Sequence, residues 1–139
     1  MNRLVVDTNV LVSSFLGMGP PRQILHRIRD GRDLLCLSPP ILSEYLGVLR
    51  RGGVSDTVLL SLLDLFHDPE RVLLVEPSTR VAAIHADPQD NMFLECAIAA
   101  HADFILSGDR HLRKITAFRG IPILSPREYL GLAESPDAR

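Results

Sequence analysis

A chain of 139 residues, 46% hydrophobic and 23% charged, has the size and balance of one globular domain with a real core. A net charge of −2 and a pI near 6.2 lack the basic excess of a tight duplex-DNA binder. No apolar run reaches the ~18 residues of a membrane span, and the N-terminus enters a strand without a signal-peptide pattern, so a cytoplasmic protein with no membrane partner is expected.

Leu4-Val5-Val6 reads as the first strand, with a short helix from Val10 to Phe15 behind it. Gly17 to Pro21 breaks the chain before a helix from Arg22 to Arg29 that ends near Gly31. Leu34 to Leu37 is the second strand. Ser38-Pro39 starts a helix, with serine as N-cap and proline in the first turn, and Gly52-Gly53 ends it after about Arg51. A further helix covers Ser55 to His67. Val72 to Val75 is the third strand, Thr79 to Ile84 a short helix, and Asp87-Pro88-Gln89-Asp90 opens a helix reaching about His101. Phe104 to Leu106 is the fourth strand, a short helix follows Asp109, and Ile121 to Leu124 is the fifth strand. Ser125-Pro126-Arg127-Glu128 is a capping box that starts the last helix.

Short apolar strands without alternation, set between helices, predict an α/β fold: three layers, α/β/α, around a central parallel sheet of about five strands. One domain is expected over residues 1–132, with residues 133–139 a frayed tail. Cys36 and Cys96 belong to no CxxC pair and read as buried, reduced thiols. In such sheets ligands bind beyond the carboxyl ends of the strands. Polar residues directly after strands are therefore the place to look for chemistry.

Asp7 directly follows the first strand, and Asp109 follows the fourth after Ser107-Gly108, so both fall on that rim. Each also reads as a helix cap. Glu44 stands three residues after Ile41 and four before Val48, within the apolar stripe of its helix and without a basic partner at i±3 or i±4. A lone carboxylate there is costly unless it is paired or bound to a cation, or snorkels to solvent. Asp90 is the third helical position after an Asp87 cap, where the helix dipole favours acids, and it shares a stripe with Leu94 and Ala97. Four acids converging on one rim repel each other without a cation, and oxygen ligands suit magnesium or manganese rather than zinc. Such an ion provides a nucleophilic water and neutralises phosphate charge, which predicts phosphodiester hydrolysis.

These residues also resemble a known family. Val5-Val6-Asp7-Thr8-Asn9-Val10-Leu11-Val12-Ser13 is similar to the opening of a PIN domain, and Ser43-Glu44-Tyr45 to its helical glutamate. Asp87 to Ala97 resembles its central helix, and Leu106-Ser107-Gly108-Asp109-Arg110-His111-Leu112 its last acidic motif. The likeness runs in order from Leu4 to about Leu130 and is nearest to bacterial VapC-like toxins of toxin–antitoxin pairs. It implies an endoribonuclease that uses Mg2+ or Mn2+, a homodimer, and a cognate antitoxin as partner. Asp7, Glu44, Asp90 and Asp109 take the family's catalytic and metal-binding roles, with Glu44 binding metal or helping to deprotonate water. Asn9 and Ser107 match positions that orient the first acid or contact phosphate. Asp87 and Glu95 match outer acids, although Glu95 reads better as solvent-exposed. Arg22, Arg110 and Lys114 are candidates for holding the RNA backbone, since arginine suits phosphate.

A haloacid-dehalogenase-like phosphatase needs a second aspartate two residues after the first, and this chain has Asn9 there. A receiver domain needs paired early acids and a late lysine, and the sole lysine, Lys114, is poorly placed. A non-catalytic RNA-binding or partner-binding scaffold is the remaining alternative. At 5% aromatic residues, base stacking as the main activity is disfavoured.

Overall fold

The computed structural model describes residues 1–80 and 88–134. The chain runs β1 (Asn2–Val6), α1 (Thr8–Leu16), α2 (Pro20–Arg29), β2 (Asp33–Leu37), α3 (Pro39–Arg51), α4 (Asp56–Phe66), β3 (Val72–Leu74), α5 (Pro88–Ala100), β4 (Phe104–Leu106), α6 (Arg110–Ile115), β5 (Ala117–Phe118), β6 (Ile121–Leu124) and α7 (Pro126–Ala133). The strands form one sheet in the order β3-β2-β1-β4-β6-β5. The first five are parallel. Leu4, Val5 and Val6 are at most 2% exposed, because helices cover both faces of the sheet and no strand position needs to be polar.

The sheet has six strands where about five are expected. The addition is β5, two residues paired antiparallel with β6. Arg119 and Gly120 both take positive φ, which closes a two-residue hairpin with the twist such turns need. A two-residue strand leaves no periodic signal in sequence. The second helix begins at Pro20 rather than Arg22: the two prolines occupy its first positions, where no N–H is needed. The helix expected from Thr79 to Ile84 is not entered at Thr79 or Arg80, and the rest of it lies outside the described residues. Ala133, expected to open the tail, still belongs to α7, and residues 135–139 lie outside the described residues.

The connection through α1 and α2 crosses the sheet one way, and that through α5 crosses it the other. Right-handed crossovers therefore put α2 and α5 on opposite faces. Every helix that follows a parallel strand starts at one rim. The strand register makes that rim level: Val6 pairs with Leu106, Leu106 with Leu124, and Leu37 with Leu74, while Leu4 pairs with Leu35. The first residues beyond it are Asp7, Ser38, Val75, Ser107 and Ser125.

The opposite rim is closed by a buried polar network. Arg27 Nε meets Asp33 Oδ2 at 2.7 Å, Tyr129 Oη donates to Asp33 Oδ1 at 2.7 Å, and Asn2 Nδ2 donates to Tyr129 Oη at 3.1 Å. Asp33 is completely buried. Arg27 is thus the partner of an inward acid. Cys36 and Cys96 are buried and unbridged, and burial pushes both thiols up to about 12. Among the described residues no helix is long and apolar enough to cross a membrane.

Candidate active site

The sheet ladder continues one residue past β1 and β4. Asp7 N–H donates to the Leu106 carbonyl at 2.9 Å, and Ser107 N–H to the Leu124 carbonyl at 2.9 Å. These bonds set the Asp7 and Ser107 side chains at the head of adjacent strands. Asp7 is 5% exposed. Its Oδ1 accepts the Val10 N–H at 2.9 Å as the N-cap of α1, and its Oδ2 accepts the Ser107 hydroxyl. The same Ser107 oxygen accepts the Asp109 N–H at 2.9 Å.

Burial pushes the Asp7 carboxyl above the usual aspartate range. The Ser107 hydroxyl and the Val10 and Gly108 backbone groups pull it back, and the nearby Asp109 charge adds a smaller upward push. Asp7 is therefore both a helix cap and half of an acidic pair, so the two sequence readings are compatible. Ser107, fully buried, is the bridge between the two acids. Tyr45 on α3 donates its buried hydroxyl to the Val6 carbonyl and so anchors α3 beside the first acid.

Glu44 sits one residue before that anchor, but not inside the apolar stripe. The buried positions of α3 are Ile41, Tyr45 and Leu49, spaced by four, while Glu44 and Val48 lie half-buried on the flank. The burial cost argued from sequence is correspondingly smaller. Asp90 is half-buried in the first turn of α5, at the end of the helix nearest the rim. Asn9 is exposed; Val10, Ser107 and Gly108 hold Asp7 instead. Asp87 lies outside the described residues. Arg110 and Lys114 are exposed on α6, directly after Asp109. Arg22 donates to the Gly17 carbonyl at 3.3 Å within the α1–α2 connection.

Among the described residues, no three His, Cys, Asp or Glu side chains stand close enough to share one metal ion. Asp7 and Asp109 form a pair, with Glu44 and Asp90 at the same rim. Around them are buried oxygens without a hydrogen-bond partner among the described residues: Thr8 Oγ1 in the first turn of α1 and Asn91 Oδ1 in the first turn of α5. Buried polar atoms are nearly always satisfied, so such orphans at one rim mark a place built for something else. The donor set is all oxygen, which fits a hard divalent cation.

The sequence model of the PIN domain family matches residues 3–111. The chain belongs to the PIN domain family. In shape this PIN domain is similar to a chain in the crystal structure of VapBC2 from Rickettsia felis bound to a DNA fragment from their promoter. The TM-score is 0.57 at 11% identity, over 87% of this chain and 96% of that one. It is also similar to the PIN domain endonuclease Utp24, with a TM-score of 0.50 at 18% identity over 88% of this chain and 84% of that one. These are likenesses of fold. No curated protein matches the sequence.

Two further residues of this PIN domain depart from their sequence reading. Ser38 stands at the N-cap of α3 yet makes no capping bond; it is completely buried, and its hydroxyl meets the weakly bonding Cys96 thiol instead. Glu95, expected in solvent, has a side chain only 12% exposed, with Arg80 Nη1 at 3.8 Å. The signal was present: Glu95 lies between the buried Leu94 and Cys96 of α5. Thr8 and Asn91 carried no such signal, because each is a common helix-start residue.

Proposed function

We propose that this PIN domain is a metal-dependent endoribonuclease, acting in the cytoplasm as a homodimer and as the toxin of a toxin–antitoxin pair. The observation that carries the reading is the acidic pair at the head of β1 and β4: buried Asp7, bridged through Ser107 to Asp109. Family membership supports nuclease chemistry, and the likeness to a VapBC2 chain supports the toxin role and an antitoxin partner.

Asp7, Asp109 and Asp90 would hold magnesium or manganese, with Glu44 as a further ligand or as the group that takes a proton from the attacking water. When bound, the ion neutralises phosphate charge and raises the acidity of water. Ser107 keeps Asp7 ionised by donating to it, and turns Asp109 toward the same rim through its N–H. Asn9, exposed in the first turn of α1, would contact a phosphate, and Asp87 would take the outer acidic role that the family resemblance implies. Arg110 and Lys114 on α6, together with Arg22, steer the RNA backbone.

The test is cleavage of single-stranded RNA with manganese or magnesium by the wild type, Asp7→Asn and Asp109→Asn. Wild type leaves 5′-phosphate and 3′-hydroxyl ends, and each variant loses on the order of 100-fold or more of the rate. A folded wild type that binds RNA without cutting it under either metal would instead make the chain a binding scaffold.

A further inference from the structure

Part of the buried polar network at the opposite rim is the floor of a second concave feature. Asn2 pairs with Asp33 across β1 and β2, and Phe104 opens β4 on the other side of β1, so three strand starts meet there. Together with Arg27 of α2, Arg32 of the α2–β2 turn and Leu132 of α7 they line a cavity of about 260 Å³. At ~30 Å³ per molecule of liquid water it has room for about nine waters. It falls below the ~300 Å³ at the low end of sites for drug-sized molecules. A ligand of that size is a fragment, with one polar head on a short body.

The lining selects for charge. Asp33 is largely spent: its Oδ2 accepts Arg27 Nε at 2.7 Å, and its Oδ1 accepts the Tyr129 hydroxyl at 2.7 Å and Arg27 Nη2 at 3.4 Å. Those bonds use most of the about four lone-pair sites of a carboxylate. Arg27 is not spent. Asp33 takes one N–H from Nε and one from Nη2, which leaves the Nη1 donors and the second donor on Nη2. Arg32 meets Asp30 at 3.5 Å with both side chains more than half exposed, a pair of little worth that a ligand can replace. Two guanidiniums against one carboxylate leave the cavity a single positive charge. Its available polar groups are donors, so the matching ligand group is an anion with acceptor oxygens. The remaining walls are apolar. Phe104 is half-buried, and Leu132 is 48% exposed, a large apolar side chain left at the surface beside the guanidiniums.

We propose that this cavity binds a singly charged carboxylate carried on a short branched aliphatic group. That chemistry is shared by small organic acids and by the C-terminal residue of a peptide that ends in a leucine-like side chain. A planar guanidinium fork matches a carboxylate with parallel hydrogen bonds, which are stronger than neutral ones. Arg27 and Arg32 supply the donors, and Leu132 and Phe104 cover the aliphatic group. Phosphate carries close to twice the charge at neutral pH. That is more than the cavity neutralises beside the buried Asp33. The site stands apart from the acids and does not depend on the nuclease reading: the five residues of β1 separate it from Asp7, a span of roughly 16 Å.

The experiment follows the full chain by proton–nitrogen NMR in chelator at constant ionic strength. It reads the Arg27 Nε–H, which its 2.7 Å contact with Asp33 protects from exchange, and the backbone amides of Asn2 and Phe104. The probes are 4-methylvalerate, its uncharged isostere 4-methylvaleramide, and inorganic phosphate. The acid should shift these signals saturably, with a Kd on the order of millimolar. The amide and phosphate should bind on the order of tenfold more weakly. Arg32→Ala, at an exposed side chain, should weaken the acid by a similar factor. Leu132→Asp, also at an exposed position, should weaken it by placing a like charge at the mouth. Equal responses to acid and amide, a shift that does not saturate, or undiminished affinity in both variants overturns the proposal. So does a shift at the Asp7 and Ser107 amides with none at Arg27, which would put the acid at the other rim. N-acetyl-leucine separates the two sources. Tighter binding than that of 4-methylvalerate supports a peptide C-terminus as the ligand, and weaker binding supports a small organic acid.

Discussion

Ser107→Ala removes one oxygen that serves two neighbours. The hydroxyl donates to Asp7 Oδ2 and accepts the Asp109 N–H at 2.9 Å, and the side chain is completely buried. A hydrogen bond to a charged group contributes ~1.5–3 kcal/mol, and an orphaned N–H costs ~1 kcal/mol when, as at half-buried Asp109, water retains some access. The sum is about 3 kcal/mol. For a domain of this length each kcal/mol moves Tm by roughly 3–4 °C, so the variant should melt roughly 10 °C lower near pH 7. The loss should also depend on pH. Burial raises the Asp7 carboxyl and Ser107 lowers it, so removing Ser107 raises it further. A carboxyl raised in the folded state contributes stability that is present below its unfolded value, near 3.8, and is lost as pH rises through the folded value. The deficit of Ser107→Ala relative to wild type must therefore grow from acid toward neutral pH. Thermal melts followed by circular dichroism in chelator, from about pH 4 to about pH 7.5, measure both quantities. A deficit under ~0.5 kcal/mol, the range of a neutral surface change, or one of equal size at both ends of that range, would refute the reasoning.

Asp7→Asn keeps a good N-cap for α1 and removes the buried charge. In the same metal-free melts its stability relative to wild type should rise from acid toward neutral pH, because the buried carboxyl that loses stability over that range is gone; parallel pH profiles would contradict the burial argument. At the opposite rim, Asp33→Ala strands the Arg27 guanidinium and the Tyr129 hydroxyl, and should cost ~3–5 kcal/mol in urea unfolding. Adding Arg27→Ala should recover part of that loss, and a near-neutral single variant would show that the network contributes little.

The sheet was legible because its strands are apolar on both faces and its helices carry ordinary start signals: Ser125 with Glu128, and proline in the first turns of α2, α3 and α7. The rim rule pointed to Asp7 and Asp109 from sequence, because Asp7 directly follows β1 and Asp109 comes shortly after Leu106, beyond Ser107-Gly108, on strands that pair in register. What the sequence did not disclose depends on partners brought from far along the chain. Nothing near Arg27 announces that Asp33 and Tyr129 will enclose it. Ser107 was marked as orienting the first acid only by the family resemblance; its local sequence carries no sign of an acid 100 residues earlier. Glu44 misled for the converse reason: a helical period of 3.6 places it beside both Ile41 and Val48, and only the packing of α3 shows that the inward line runs through Tyr45.

The polar network at the lower rim has a consequence for the order in which the molecule is made. Asn2 and Tyr129 are 127 residues apart, and Asp33 receives the Tyr129 hydroxyl from the last helix. A chain emerging from the ribosome can pair Arg27 with Asp33 early, since both belong to its first third. Until α7 leaves the exit tunnel, however, that ion pair lacks its third member and its lid. The central strand is synthesised well before α7 and is sealed by it, so the sheet reaches its closed form only once that helix has been delivered.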